Sequence, residues 1–383
     1  MLSDADSCDL FLLAGEPSGD VHGAEIMRAL RKRAPGIRIT GVGGPLMEGE
    51  GLRLVADIEE LSVAGVTDIA SALPRLVALF RRVKKRIIRL APKGILFIDC
   101  PEFNLRMARG VKKSGIPTRL FHFVCPSVWA WRRKRIVFME KYLDELFAIL
   151  PFEPDLFEGK RPDVRYVGHP LVTKIASHPY DAHWRRGYGI GERERLLALF
   201  PGSRPQEWQR NAPLQLRVAR RIVRRNPELR LVVSASSDAA LRFAERVGVP
   251  SNAIIPRRHL YELMREAHAA VAVCGTVTLE LALHAVPTVV TYGVAPFDWF
   301  LARKVFRVDL PYYCLPNLIL REEMFPELIG PRLRAESLFD RLIDTVEREE
   351  IGPLCKARSV RLKECIGPSD ASEQVAERIV RVL

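Results

Sequence analysis

Short apolar runs, each followed by a glycine- or serine-bearing loop and then a helical segment, recur along this chain, and the alternation restarts near its middle. In the first half, CDLFLLA runs into GEPSGD and a helix expected from about Val21 to Ala34. IRITGV, GILFID, TRLFHFV, ELFAIL and VRYVG supply further strand candidates. A polar stretch, SHPYDAHWRRGYGIGERE, interrupts the pattern before LLALF, LRLVVSA, AAVAVC and PTVVTY resume it. Strands that are apolar throughout, spaced by helices, belong to parallel sheets covered on both faces. The expected class is therefore α/β, with two Rossmann-like doubly wound domains facing a central cleft. A length of 383 residues suits two domains, because single cores stop growing near about 250 to 300 residues. The boundaries expected are 1–172, joined by C-terminal helices 345–383, and 173–344.

Composition narrows the chemistry. Hydrophobic residues make up 48% and charged residues 27%, ordinary globular usage. Seven cysteines without a C-x-x-C pair argue against a disulfide framework or zinc ribbon and fit a reducing cytoplasm. The acidic N-terminus, with its short apolar run, lacks the length of a signal-peptide core or a spanning helix. A formal charge of +13 calls for an anionic partner: nucleic acid, a membrane surface or phosphate-bearing substrates. Between Arg75 and Phe97 lie eight basic residues and no acidic one, with Leu76, Val77, Phe80, Val83, Ile87 and Leu90 at helical spacing. This basic amphipathic helix, with Arg81, Arg82, Lys84 and Lys85, is either a packed surface helix with a solvated cationic face or a dock for anionic lipid. Nucleic-acid binding gains no support, since the stretch lacks interleaved stacking aromatics.

The loops after the strands carry the candidate chemistry, because ligands of open α/β sheets bind at the carboxyl ends. GEPSGDVHGA brings Glu16, Ser18, Gly19, Asp20 and His22 to a helix start, where N–H groups favour anions; the plain alternative is a tight turn with Asp20 as a cap. FIDCPEFN ends a strand on Asp99, close to Asn104, and a buried aspartate there suits a general base as well as a turn cap. VCPSVWAWRRKR sets Ser127, Trp129 and Trp131 beside Arg132, Arg133, Lys134 and Arg135, an arrangement for a sugar or acyl chain next to phosphate unless the tryptophans are core anchors. FPGSRPQE offers Gly202 for close backbone approach, Ser203 for its hydroxyl and N–H, Arg204 for bidentate phosphate contact, and Glu207, a diphosphate cradle unless it is only a capped helix start with a surface arginine. CGTVTLE presents Gly275, Thr276 and Thr278, with Glu280 one turn into the helix to accept two ribose hydroxyls or to serve as an ion-pair partner. The eight histidines lack H-E-x-x-H or paired spacing, so neither a metal nor a cofactor is expected. Asp4-Ala5-Asp6 spells D-x-D ahead of the first strand and is taken as accidental.

AGEPSGDVHGA, GVGGPLM, FIDCPEFN, SVWAWRRKR, YVGHPL, PGSRPQE, CGTVTLE and LPNLI follow one another across nearly the whole chain, and in that order they resemble the lipid-A-disaccharide synthase family. The resemblance implies the glycosyltransferase B fold, with the final helices returning to the first domain. It also implies an inverting enzyme that moves 2,3-diacylglucosamine from UDP to the 6-hydroxyl of 2,3-diacylglucosamine 1-phosphate, forming a β-1,6 disaccharide in lipid A biosynthesis. Its partners would be UDP-diacylglucosamine, diacylglucosamine 1-phosphate and an anionic membrane surface, with no nucleic acid; its place would be cytoplasmic, peripheral to the inner membrane. Some related members are homodimers with exchanged C-terminal segments. By position, Asp99 resembles the catalytic base and Glu16 the acidic residue of the first loop, while Arg204, Glu280 and Asn317 resemble the UDP side. Cys100 and Glu102 stand where alanine and aspartate are usual, Trp208 where an aliphatic residue is, and Cys274 where serine is. Another UDP-sugar enzyme of this architecture, a lipid-linked N-acetylglucosaminyltransferase or a 2-epimerase, would share the UDP side but not GEPSGD or SVWAW. A non-catalytic basic protein binding lipid or nucleic acid is the alternative of a different class.

Overall fold

Both halves of the chain build a sheet whose central strands are too apolar to face water on either side. The computed structural model describes residues 7–61, 69–157, 161–301, 310–368 and 370–383, with side chains of the helix beginning at Ile69 described from residue 73; Asp4-Ala5-Asp6 lies outside these. The chain divides into two units, Met1–Pro170 with Ser369–Leu383, and Leu171–Pro368. The segment that returns to the first unit is thus shorter than the expected 345–383. The helix Ile351–Ile366 stays with the second unit, where Cys355, Leu362 and Ile366 are buried.

Unit 1 holds seven parallel strands: β1 (Leu10–Ala14), β2 (Ile39–Gly43), β3 (Arg53–Asp57), β4 (Gly94–Ile98), β5 (Arg119–Phe123), β6 (Glu145–Ala148) and β7 (Asp163–Tyr166), in the spatial order β3-β2-β1-β4-β5-β6-β7. Side-chain alternation sends Phe11, Leu13, Ile95 and Phe97 to one face, against Leu79, Val83 and Ile87 of the helix Ile69–Leu90 and Met107, Ala108 and Val111 of the helix Pro101–Lys112. Leu10, Leu12, Leu96 and Ile98 go to the other, against Ile26, Met27 and Leu30 of the helix Pro17–Arg33 and Val375, Ala376 and Ile379 of the C-terminal helix. That first helix starts earlier than Val21, because Glu16 is extended at its N-cap and Pro17 supplies a pre-set first turn.

The C-terminal helix, Ala371–Val382, is clamped by charge as well as by packing. Glu145, 1% exposed at the head of β6, receives Arg378 Nε at 2.7 Å and Nη2 at 2.9 Å, with Arg119 Nη2 at 3.0 Å. On β5, fully buried His122 lies against Phe97. Burial pulls its imidazole down to about 4, against backbone hydrogen bonds at Val124 and Phe123. An unfolded chain takes up this proton as pH drops below 6.5 while the folded one refuses it until about 4. Stability should therefore fall across that window by on the order of 2–3 kcal/mol from this residue. Denaturant melts of His122→Phe should show a shallower acid loss than the wild type; parallel pH profiles would contradict it.

Unit 2 holds six parallel strands: β8 (Arg195–Phe200), β9 (Leu229–Ala235), β10 (Ile254–Pro256), β11 (Ala267–Val273), β12 (Thr288–Tyr292) and β13 (Glu327–Ile329), in the order β10-β9-β8-β11-β12-β13. Leu197, Leu199, Val233 and Val271 pack beneath Trp208, Ala212, Leu216 and Ile222 of the helix Pro205–Arg225 and Leu338 and Leu342 of the helix Ala335–Glu347. The strand order reverses at β1/β4 in unit 1 and at β8/β11 in unit 2, which makes the loops leaving those strands the binding positions of each sheet.

Candidate active-site loops

In unit 1 the loops after β1 and β4 lie against each other. A Cβ on Gly15 would stand 2.6 Å from both Cβ and Sγ of Cys100, so only glycine fits there. Asn104, fully buried, ties the two strand ends together: its Nδ2 donates to the carbonyls of Asp99 (2.7 Å), Ile98 (3.2 Å) and Leu13 (3.4 Å). The amide nitrogen of Asn104 thus braces the turn, while its buried Oδ1 has no hydrogen-bond partner among the described residues. Asp20 likewise serves the fold. Its carboxylate accepts from the N–H groups of Gly44 (2.8 Å), Leu46 (3.0 Å) and Met47 (3.0 Å), capping the next helix, Pro45–Gly49, instead of facing a ligand.

Asp99 and Cys100 both adopt left-handed backbone, with φ of 49° and 44°, and Val124 at the end of β5 has φ 71°. Such strain in non-glycine residues gathers at functional sites, where surrounding structure holds it in place; here the Asp99 N–H is fixed to the Phe123 carbonyl at 3.0 Å and the Val124 N–H to Phe147 at 3.1 Å. Burial lifts the Asp99 carboxyl above the ordinary range, partly offset by the Cys100 backbone hydrogen bond and the charge of His22. His22 stands edge-on to Phe123 at 5.6 Å. Its charge also acts on His169, which burial pulls down to about 4. His169, in GHPL, belongs with Asp99 and His22 but was missed as a site residue; the signal available was a histidine directly after a strand exit. Exposed Glu16 and Ser18 and buried Gly19 complete this loop, and Glu16 joins burial in pushing the Cys100 thiol up to about 11.

The loop after β5 turns through Ser127, whose carbonyl accepts from the N–H groups of Ala130 and Trp131. Trp129 packs edge-on against Phe152 and is partly buried, nearer to the core-anchor alternative. Trp131 is exposed, with the Arg132 guanidinium 4.3 Å above its ring. Glu102 is engaged by Arg132 and Arg135, an ion cluster that joins the β4 and β5 loops.

In unit 2, Gly202 has φ 132°, and a side chain there would strike Glu207. The loop's N–H groups bind an anion, and that anion is the chain's own. Glu207 Oε2 accepts from Ser203 N at 2.8 Å and Arg204 N at 3.2 Å, and its Oε1 meets Arg204 Nη1 at 3.2 Å. This is a capping box at the start of the helix Pro205–Arg225, the capped helix start with a surface arginine that stood as the alternative to a diphosphate cradle. The Arg204 side chain remains largely exposed. After β11, Gly275 and Thr276 are exposed, while the Thr278 hydroxyl, buried, closes onto the Gly275 carbonyl at 2.7 Å and serves the turn. Burial raises the Glu280 carboxyl, with Tyr261, Lys174 and Arg257 pulling the other way; Tyr261, on the helix Leu260–Glu266 ahead of β11 and unmarked by any motif, donates its hydroxyl to Glu280 Oε1 at 2.9 Å. Asn317 is fully consumed. It donates to Phe325 O (2.8 Å) and Glu327 Oε1 (3.0 Å) and accepts from the N–H groups of Met324 and Phe325, so it shapes the segment and is no direct UDP ligand here.

Among the described residues, no three His, Cys, Asp or Glu side chains converge as a metal-holding group. The helix Ile69–Leu90 buries Leu79, Val83, Ile87 and Leu90 and exposes Leu73, Val77 and Ile88 beside exposed Arg81, Arg82 and Lys85 and half-buried Lys84. Arg82 is already matched, at 2.7 Å from Glu60. Among the described residues, no helix is long and apolar enough to cross a membrane.

Comparison with known proteins then decides the family. The family model described as Lipid-A-disaccharide synthetase matches residues 10–377. The chain belongs to the lipid-A-disaccharide synthase family. It is 39% identical over 328 residues to the lipid-A-disaccharide synthase of Chlamydia pneumoniae, covering 84% of this chain and 53% of that protein. To the lipid-A-disaccharide synthase of Blochmanniella pennsylvanica it is 33% identical over 376 residues, covering 97% and 95%. The chain spans about half the length of the chlamydial relatives it matches. Solved structures agree on the fold: a putative UDP-N-acetylglucosamine 2-epimerase from Listeria monocytogenes (TM-score 0.65, 15% identity, 98% and 95% covered) and the glycotransferase of kitacinnamycin (TM-score 0.60, 13% identity, 98% of each covered). In this lipid-A-disaccharide synthase family member, His22 acts electrostatically on both Asp99 and His169, and Arg204 and Glu280 lie on the loop and helix that follow β8 and β11.

Proposed function

We propose that the chain is an inverting, UDP-dependent glycosyltransferase that moves 2,3-diacylglucosamine from UDP-2,3-diacylglucosamine to the 6-hydroxyl of 2,3-diacylglucosamine 1-phosphate. The observation that carries this reading is Asp99, half-buried in a strained turn at the switch point of unit 1 with its carboxyl pKa raised. In the single displacement, the carboxylate of Asp99 takes the acceptor hydroxyl proton, the acceptor oxygen bonds to the anomeric carbon from the face opposite UDP, and the bond from that carbon to the UDP oxygen breaks. A raised pKa makes the carboxylate a better base near neutral pH. His169, kept neutral by burial, adds no charge that would lower it again.

On the leaving-group side, the UDP diphosphate replaces Glu207 on the Ser203 and Arg204 N–H groups and recruits the Arg204 guanidinium. Glu280, held by Tyr261, receives the ribose hydroxyls. These donors neutralise the departing charge without a divalent ion. The test is UDP release in EDTA-containing buffer: release from the diacylated donor should require the acceptor. Release without acceptor, a strict need for Mg²⁺ or Mn²⁺, or epimerisation of UDP-N-acetylglucosamine would contradict the proposal.

The basic helix is the proposed contact with anionic lipid, at ~1 kcal/mol per cation near the surface. Replacing Arg81, Lys84 and Lys85 by glutamine should cut sedimentation with anionic vesicles by more than tenfold and flatten its salt dependence. Arg82→Gln alone should do little, since Glu60 already matches it. Unchanged sedimentation of the triple variant would leave the helix a solvated surface.

A further inference from the structure

The turn leaving β12 carries an apolar element that neither the nucleotide contacts nor the catalytic loop explains. The helix Pro296–Phe300 exposes Phe297 (68%) and Phe300 (55%), three residues apart and so on one face. Its third aromatic, Trp299, points the other way. A Cβ on Gly330 would lie 2.7 Å from Trp299 Cε3, so the indole is seated on bare backbone just past β13. Trp299 anchors the helix, and the two phenyl rings are left to water.

What they stand beside is the loop argued to hold the diphosphate. Glu207, which occupies that loop, accepts at its backbone carbonyl from Asn211 Nδ2 (2.9 Å), and Asn211 Oδ1 accepts from the Gly293 N–H (2.8 Å) at the root of the aromatic turn. Arg210 on the same helix pairs with Asp298 at 3.5 Å, between the two phenylalanines. Tyr292, the last residue of β12, has its hydroxyl pKa raised by burial and by the Glu207 carboxylate, against Arg204 and Arg210. The aromatic pair is thus fixed to the diphosphate loop by a short chain of hydrogen bonds within unit 2. A donor whose sugar bears two fatty acyl chains must find apolar surface within reach of its diphosphate, and these two adjacent exposed rings supply it.

We propose that Phe297 and Phe300 form the shelf that receives the acyl chains of the nucleotide-sugar donor. This rests on the proposed glycosyl transfer and adds a specificity surface to it. The experiment compares the full chain with Phe297→Ser/Phe300→Ser in detergent micelles, measuring KM for UDP-2,3-diacylglucosamine and Kd for UDP. KM should rise about tenfold or more, from lost apolar burial, with UDP affinity unchanged, and Phe297→Leu/Phe300→Leu should restore most of it. An unchanged KM would overturn the shelf, as would a parallel loss of UDP binding, which would signal a damaged nucleotide loop. Loss of vesicle sedimentation with normal micellar KM would overturn it too, in favour of a bilayer contact. A wild-type chain that consumes no donor would sink the enzyme reading itself, whereas wild-type turnover matched by the variants would sink only the shelf.

Discussion

Asp99→Asn should leave the fold and UDP binding intact and cut turnover by about 10² to 10⁴-fold, the range for a lost general base. Asparagine fits the same space and, of the non-glycine residues, tolerates left-handed backbone well, so the φ of 49° is no obstacle. What disappears is the proton acceptor. Because burial raises the carboxyl pKa, wild-type turnover should climb with pH as Asp99 ionises, and the residual activity of the variant should lack that acidic limb. Steady-state rates across pH, paired with calorimetric UDP binding, read both effects. Turnover within a few-fold of wild type would remove Asp99 from the chemistry.

The second large effect concerns the fold. Arg378→Ala should lower unfolding free energy by about 3 kcal/mol, because it strips a bidentate partner from a carboxylate that remains buried. Glu145, at 1% exposure, would be left with Arg119 at 3.0 Å and a more distant Arg165 at 3.8 Å. The loss should be local in character. The helix Ala371–Val382 is tied to unit 1 through Glu145, through Glu373 to Lys32 and Arg33, and through its Val375, Ala376 and Ile379 stripe. Amide exchange should therefore accelerate first in that helix. Denaturant melts showing less than about 1 kcal/mol of change would mean that the apolar stripe alone holds it.

The central strands were legible because burial on both faces leaves them nothing but apolar residues, as in LFLLA and GILFI. β3, β10 and β13 were not. All three lie at sheet edges with charged or proline residues in sequence, and β10 and β13 have only three residues each. Asp99 and Arg204 could be nominated from sequence because each follows a strand directly. What could not be read is where a polar side chain is spent on backbone groups that folding brings to it: Asp20 on Gly44 and Met47, Asn104 on Leu13, Asn317 on Phe325. A buried N–H or carbonyl must find a partner, and which one lacks it is decided by tertiary packing that no local motif encodes. Tyr261 escaped for the same reason, since its value lies in meeting Glu280.

The product of the proposed transfer is its most direct test. Purified chain incubated with UDP-2,3-diacylglucosamine and 2,3-diacylglucosamine 1-phosphate should yield a tetraacyl disaccharide 1-phosphate by mass spectrometry, with β-anomeric coupling at a 1→6 linkage by NMR. An α linkage, a hydrolysed donor without disaccharide, or no product while UDP still binds would contradict the account.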